Sequence, residues 1–373
     1  MSQMFTSWRR LDGLLLFAVF LLLSFGFSAM YSITLSQGEG NLVSRQAVAL
    51  AVGVALAAVM TRSNYRLLQA YAPAAYTLSV LALAAVLAFG VEIRGTVGWF
   101  ALGSFHFQPV EFAKVALILM LASYFSRHPD RQASLRVCIE SALLTAVPVA
   151  LTLLQPDLGS ALLLLGIWGV LLLFSGIKKR FFFLLVLTGL ATFVFAWTFV
   201  LADYQQERLL TFVDPARDPA GKGYNVRQAL IAVGSGGWLG RGLGFGSQSQ
   251  LKFIPESQTD FIFAVIAEEL GFVGVVFLLG GFFLFFQRIL HHASSTNDDF
   301  TGYLLLGIGI VFFLQCTVNI GMNIGLLPVT GITLPFVSYG GSSLMLALLM
   351  VGIVQSVSLR RRGSSSISLG RGA

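Results

Sequence analysis

Hydrophobic positions along this chain fall into long unbroken runs separated by short polar connections. A run of roughly 17 to 25 apolar residues crosses a hydrocarbon core about 30 Å thick as a helix. Ten such runs are read, at about 12–33, 44–61, 71–91, 108–125, 137–154, 158–176, 180–202, 260–288, 302–325 and 335–358. The pattern predicts an all-α polytopic membrane protein of about ten transmembrane helices, forming a single integral membrane domain over 1–373. One connection is long, 203–259, between the seventh and eighth runs, and a polar tail, 360–373, follows the last. The first run follows Arg9-Arg10 as a signal peptide would, but its length and the nine runs after it make it a retained span.

Composition sharpens this picture. The chain is 56% hydrophobic and 11% charged, against about 45–50% apolar in soluble domains. Its net charge of +7 would suit a nucleic-acid surface, yet the basic residues gather on alternate connections: Arg9, Arg10, Arg62, Arg66, Arg127, Arg131, Arg136, Lys178, Lys179, Arg180, Arg288 and Arg360 to Arg362. Such residues mark cytoplasmic loops, and long loops count for little. Both termini are therefore expected in the cytoplasm and the 203–259 loop on the outer face, with no nucleic-acid partner.

Cys138 and Cys316 fall in or beside spans and imply no disulfide framework. His106, His128, His291 and His292 form no zinc motif, and the adjacent pair reads as solvated surface. The long loop is rich in glycine, from Gly234 to Gly246. Irregular backbone survives at membrane depth only when buried in protein or lining a wet cavity, so the loop is expected to fold back onto the bundle. Gly240-Arg241-Gly242-Leu243-Gly244 has no preceding strand and opens no regular helix, which excludes a nucleotide-binding turn.

Ionisable residues near membrane depth are costly and usually mark a working site. Asp260 is the first candidate, because it opens an apolar run directly after the glycine-rich loop. Below it Ala264, Ala267, Gly271 and Gly274 follow one helical face and permit close helix approach, while Glu268 and Glu269 lie deeper or turn inward, one of them read as bonding across helices. Glu111 and Lys114, three apart, suit either an ion pair or a binding site. Asp157 suits either a helix cap or a functional role. Asn319, Asn323, Thr330, Gly331, Ser338, Ser342 and their neighbours interrupt the last two runs, and their amides and hydroxyls suit phosphate or sugar oxygens or ordinary helix packing.

These motifs resemble the SEDS family (shape, elongation, division and sporulation) along nearly the whole chain. The resemblance rests on the run Phe107 to Lys114 (FQPVEFAK), Gln155 to Gly159 (QPDLG), Asp214-Pro215, Asp218-Pro219, Gly223-Tyr224, Gly234 to Gly237, Pro255-Glu256, Thr259 to Ala264, Glu268 to Gly271, and Leu334 to Ser342 (LPFVSYGGS). Residues 249–256 and 326–331 resemble elongation members, RodA, more than division members, FtsW.

The resemblance implies a peptidoglycan glycosyltransferase of the bacterial cytoplasmic membrane that polymerises lipid II on the outer face during elongation. It implies a class B penicillin-binding protein and elongation-complex membrane proteins as partners. It maps the essential aspartate onto Asp260 and substrate-binding roles onto Glu111, Lys114, Asp157 and Arg208. Two departures are Gly98, where the family often has arginine before the residue matched by Trp99, and His106, where it often has a basic residue; Arg94 is the compensating cation for the first.

The implied reaction inverts an α-linked polyprenyl-diphosphate disaccharide-peptide donor into a β-linked glycan. Asp260 is expected as the general base, with Arg208, Lys114 and Arg94 facing the diphosphate and Ser338 and Ser342 among the substrate contacts. No organic cofactor is expected; a divalent cation, magnesium or manganese, held by Asp260 is the alternative role for that carboxylate. The rival readings are a lipid II flippase, which would place polar groups at the midplane and often carry inverted repeats, a division-type polymerase, and a scaffold that only activates a partner enzyme.

Overall fold

The computed structural model describes residues 11–37, 42–93, 95–103, 105–128, 134–199, 206, 210, 212 and 222–368. Among them ten long helices lie where the ten apolar runs stand: α1 (Gly13–Gln37), α2 (Leu42–Arg62), α3 (Tyr65–Phe89), α4 (Pro109–Ser126), α5 (Leu135–Leu154), α6 (Leu158–Phe174), α7 (Lys179–Phe199), then α10 (Ile262–Ser294), α11 (Asp299–Asn323) and α12 (Gly341–Ser368). Eight are long and apolar enough to cross a membrane, and α6, with 17 residues, is shorter. Between α7 and α10 stand α8 (Lys222–Ser235) and the single turn α9 (Ser247–Gln250).

Two helix starts differ most from the sequence reading. The third helix starts at Tyr65 rather than 71, because the Asn64 side chain caps it by accepting the Arg66 amide. The last starts at Gly341 rather than 335, since residues 335–340 form turns bonded to other segments. Between α3 and α4 the chain forms an antiparallel three-stranded sheet, β1 (Val91–Ile93), β2 (Thr96–Leu102) and β3 (Phe105–Phe107), with Trp99 opposite Val91 and Ala101 opposite His106.

Within the bundle, α4 is buried on nearly every face and packs on α3 and α11, while α1 lies along α10 and α2 along α12. A Cβ on Gly352 would stand 2.5 Å from the Ala57 carbonyl, so only glycine lets α2 and α12 come this close. Phe285, Phe312 and Phe336, with ring centroids 5.1 to 5.3 Å apart, join α10, α11 and the segment before α12 in edge and tilted contacts.

α10 is not one continuous helix. Gly271 has φ +66 and ψ −166, a conformation open only to glycine, and the glycine-rich loop replaces the lost helical bonds. The Arg241 and Gly242 amides donate to the Glu268 and Glu269 carbonyls at 3.0 and 2.9 Å, while the Phe272 and Val273 amides donate to the Gly237 and Trp238 carbonyls at 2.9 and 3.1 Å. Unpaired backbone groups in hydrocarbon cost several kcal/mol each, so this interlock makes the break tolerable. Cβ atoms on Gly236 and Gly240 would stand 1.9 and 2.2 Å from the Ala267 and Glu269 carbonyls. The expected seam below Asp260 is thus used by the loop's backbone.

At the far end of α10, Asp12 is buried, with Arg288 Nε at 2.8 Å and His292 Nε2 at 2.6 Å from its Oδ2. Gln355 of α12 accepts the Asp12 amide at 2.9 Å and donates to its carbonyl at 3.1 Å. His292, expected on the surface, is therefore buried: the polar connection begins one turn later, and an acid from α1 supplies the partner. Asp12 lies just ahead of the first span, Gly13–Leu35. Burial favours its protonated form, but hydrogen bonds from His292, Arg288 and the Leu15 amide outweigh this and hold its carboxyl below the ordinary aspartate range.

Candidate active site

Asp260 stands in the turn that delivers the chain into α10, and that turn winds around one carbonyl. The Glu256 carbonyl accepts the amides of Thr259, Asp260 and Phe261 at 3.1 to 3.3 Å. Glu256 itself has φ +56, a left-handed conformation that non-glycine residues adopt at some cost and that clusters at functional sites.

Two neutral side chains fix where Asp260 sits. Asn319 and Asn323, fully buried and one turn apart on α11, donate their Nδ2 groups to the Asp260 main-chain carbonyl at 3.0 and 2.9 Å. Asn319 Nδ2 also reaches the Ile332 carbonyl at 2.7 Å, and Asn323 Oδ1 accepts the Ala264 amide at 3.1 Å, one of the four N–H groups a helix start leaves unpaired. Each asparagine offers a donor and an acceptor without introducing a charge. The pair therefore joins the Asp260 turn, the start of α10 and the 330–332 segment.

The carboxylate side of Asp260 meets that last segment. Asp260 Oδ2 lies 3.8 Å from where a Cβ would stand on Gly331, whose φ is +79, and a Cβ on Gly159 would stand 2.6 Å from the Thr330 carbonyl. Thr330 and Gly331 thus form a wall shared by Asp260 and the start of α6. Asp157 caps α6: its carboxylate accepts the Ser160 amide at 2.9 Å and the Ser160 hydroxyl at 2.6 Å. Next to it, Gln155 donates to the Leu83 carbonyl at 3.1 Å, and a Cβ on Gly98 of β2 would stand 3.5 Å from Gln155 Oε1. His106, the other departure, is exposed on β3.

Glu111 and Lys114 form an ion pair at 2.7 Å, with side chains 12% and 3% exposed. They line a cavity with Gln315, Leu334, Ser338 and Ala347 whose volume is about 10 Å³, room for about one water molecule and not for a sugar. Ser338 connects this cavity to the Asp260 turn, since its hydroxyl donates to the Thr259 carbonyl at 2.6 Å and accepts the Leu334 amide at 2.9 Å. Ser342 is buried in the first turn of α12. Arg94 and Arg208 lie outside the described residues.

Glu268 and Glu269 are both fully buried. Glu268 accepts the Gln248 and Ser249 amides at 2.8 and 3.0 Å; Glu269 accepts the Ser32 hydroxyl at 2.6 Å and the Ser249 hydroxyl at 3.1 Å. They hold the loop to α10 and α1, matching the structural reading of this pair. The sequence reading missed the asparagine clamp. Its signal is present, because two amides four residues apart in an otherwise apolar helix need partners across the bundle; the sequence alone leaves them open between ligand oxygens and helix packing.

The comparisons agree with this architecture. A family model, FTSW_RODA_SPOVE, described as cell cycle protein, matches residues 10–363. The peptidoglycan glycosyltransferase MrdB of Escherichia coli K12 is 38% identical over 337 residues, 90% of each chain. A solved structure described as structural coordination of polymerization and crosslinking by a peptidoglycan synthase complex has a TM-score of 0.81 at 37% identity, covering 94% of this chain and 98% of the other. The crystal structure of the Thermus thermophilus rod shape determining protein RodA has a TM-score of 0.70 at 34% identity, covering 93% and 96%. With both the model and these relatives spanning nearly its whole length, this chain belongs to the FtsW, RodA and SpoVE family, the SEDS family that its motifs resemble.

Proposed function

We propose that this protein is an inverting glycosyltransferase that polymerises lipid II into glycan strands on the outer face of the bacterial cytoplasmic membrane during cell elongation. The observation that carries this reading is a carboxylate at the head of a broken membrane helix, its main chain clamped by two buried asparagines and its side chain set against a glycine wall. The names MrdB and RodA among the relatives support the activity and the elongation role. The reading takes ten spans, both termini cytoplasmic and the 203–259 loop outside, as the basic connections suggest, which would set Asp260 on the face where a lipid-linked donor presents its sugars.

In this mechanism Asp260 removes the proton from the acceptor 4-hydroxyl as that oxygen attacks the anomeric carbon from the face opposite the diphosphate. The clamp fixes the main chain of the base, so little reorganisation is left for the transition state. Arg94 and Arg208 are the proposed cations for the departing diphosphate, while Lys114, buried against Glu111 beside a cavity too small for that group, acts through Ser338, which couples the pair to the base through Thr259. Asp157 holds the adjoining wall by ordering the start of α6, and Ser342, buried in the first turn of α12, stays a proposed substrate contact.

No group of three His, Cys, Asp or Glu side chains able to hold a metal is found among the described residues. Asp260 would be the protein ligand of a magnesium or manganese ion shared with the substrate, and such an ion would supply charge neutralisation for the leaving group. A class B penicillin-binding protein is the proposed partner, in line with the polymerising and crosslinking complex among the structural relatives.

The test is glycan polymer formation from purified lipid II by the purified chain, alone, with a class B penicillin-binding protein, and with magnesium added or chelated. Polymer under any of these conditions that disappears without the chain supports the reading. Lipid II binding with no polymer under all of them sinks it and favours transport or scaffolding.

A further inference from the structure

The loop that mends α10 carries a cluster of large apolar side chains on its outside. Trp238, Leu239 and Phe245 are 74%, 79% and 77% exposed, and Leu243 is 49% exposed. Such a patch marks an interaction surface.

Its height along the bundle identifies what covers it. Sixteen residues of regular helix separate Phe272 from Arg288, a rise of about 24 Å at 1.5 Å per residue, which is less than the roughly 30 Å of a hydrocarbon core. Trp238 stands edge-on to Phe272, with ring centroids 5.2 Å apart, and its carbonyl accepts the Val273 amide, so it shares that height. α1 supplies a second ruler. Leu35 lies twenty-three residues beyond Asp12, the partner of Arg288, a rise of about 34 Å, and its Cδ1 is 3.9 Å from the Cβ position of Gly244. The loop therefore runs from inside the hydrocarbon to its boundary. Below Trp238, α10 exposes Val276, Phe277 and Phe283, and the patch continues that strip upward.

The backbone of this segment is suited to such depth because the Arg241 and Gly242 amides and the Trp238 carbonyl bond to the broken helix, and the Gly240 and Phe245 amides bond within the loop. Arg241 fits as well: its Nε donates to the Ser235 carbonyl at 3.3 Å, so the guanidinium is engaged while its stem covers apolar surface.

We propose that residues 238–245 form a lipid-embedded loop whose Trp238, Leu239 and Phe245 side chains sit among the acyl chains of the leaflet on the Asp260 side. The loop then does two jobs: it closes the break in α10 and, through Glu268 and Glu269, ties the start of that helix to the bilayer. The inference needs membrane integration but not the glycosyl-transfer reading, so either can fail alone.

The experiment is tryptophan quenching in the full-length chain reconstituted into phosphatidylglycerol and phosphatidylcholine vesicles whose acyl chains carry bromine near the headgroup or near the middle. One sample carries Trp8→Phe, Trp99→Phe, Trp168→Phe and Trp197→Phe, leaving Trp238 alone. A second compares the natural chain with Trp238→Phe and takes the difference, which needs one conservative change only. Trp238 is expected to emit at short wavelength, to lose most of its emission to the shallow bromines, and to resist aqueous iodide. Emission quenched by iodide and indifferent to brominated lipid overturns the proposal. Shielding that appears only when a class B penicillin-binding protein is co-reconstituted also overturns it and assigns the patch to protein.

Discussion

The two ends of α10 hold an aspartate each, and they are used in opposite ways. At one end Asp12 spends its carboxylate on Arg288 and His292, and Gln355 takes its main chain. At the other, the neutral amides of Asn319 and Asn323 take the main chain of Asp260, while Oδ2 lies beside the bare Cα of Gly331. The first arrangement neutralises charge and joins α1, α10 and α12. The second fixes an acid in place through its backbone. Asp12 acts through its carboxylate, which ties the head of α1 to α10; at Asp260 the asparagines fix the main chain, as the proposed role of a base requires.

Substitutions at the two ends should therefore separate activity from stability. The largest effect on activity is expected from Asp260→Ala, which should lower polymerisation by about 10²- to 10⁴-fold, the usual contribution of a general base, with little change in thermal stability in detergent. Asp12→Ala should do the reverse, because it leaves the partly buried Arg288 and the buried His292 without their acid; breaking a buried pair costs about 3–5 kcal/mol, read as a lower unfolding midpoint with polymerisation per folded molecule preserved. Equal loss of activity at both ends would erase the distinction.

Asn323→Ala should fall between them. It removes the bonds to the Asp260 carbonyl and the Ala264 amide; each keeps a second partner, Asn319 and the Phe261 carbonyl, so each lost bond costs about 0.5–1.5 kcal/mol. The turnover rate should drop more than lipid II affinity does, because the clamp acts on the base. The smallest effect is on acid sensitivity. The folded-state pKa of Asp12 is lowered, so the unfolded chain binds the proton more readily and stability rises with pH across that window. The contribution is present above the ordinary aspartate value of 3.8 and is lost as pH falls below it. Asp12→Asn should flatten the fall in unfolding midpoint there.

The helices were legible because lipid demands long apolar runs, and ten long helices stand where those runs were read. The glycine-rich loop folding back was legible for the same reason, since irregular backbone at depth must be bonded. The hairpin over Gln155 was not, because β1 and β3 have three residues each, too few for a strand pattern to show. Helix α8 was hidden among glycines; it buries Ala229 and Ala232 against Ile254 and Phe261, a contact made by small side chains that a hydrophobicity pattern underweights. At the site, Asp157 as a cap and Glu111 with Lys114 as an ion pair are each one of the two readings that spacing offers, and the structure makes both contacts. Which backbone Asn319 and Asn323 hold depends on partners 59 and 63 residues away, and no local pattern carries that.

The central claim rests on Asp260, and polymerisation of lipid II by wild type and Asp260→Ala, measured side by side at matched folded concentration, tests it most directly. The account predicts glycan polymer from the wild type and none above background from the variant, with equal membrane insertion and equal lipid II binding. A well-folded Asp260→Ala that makes polymer at the wild-type rate would contradict it.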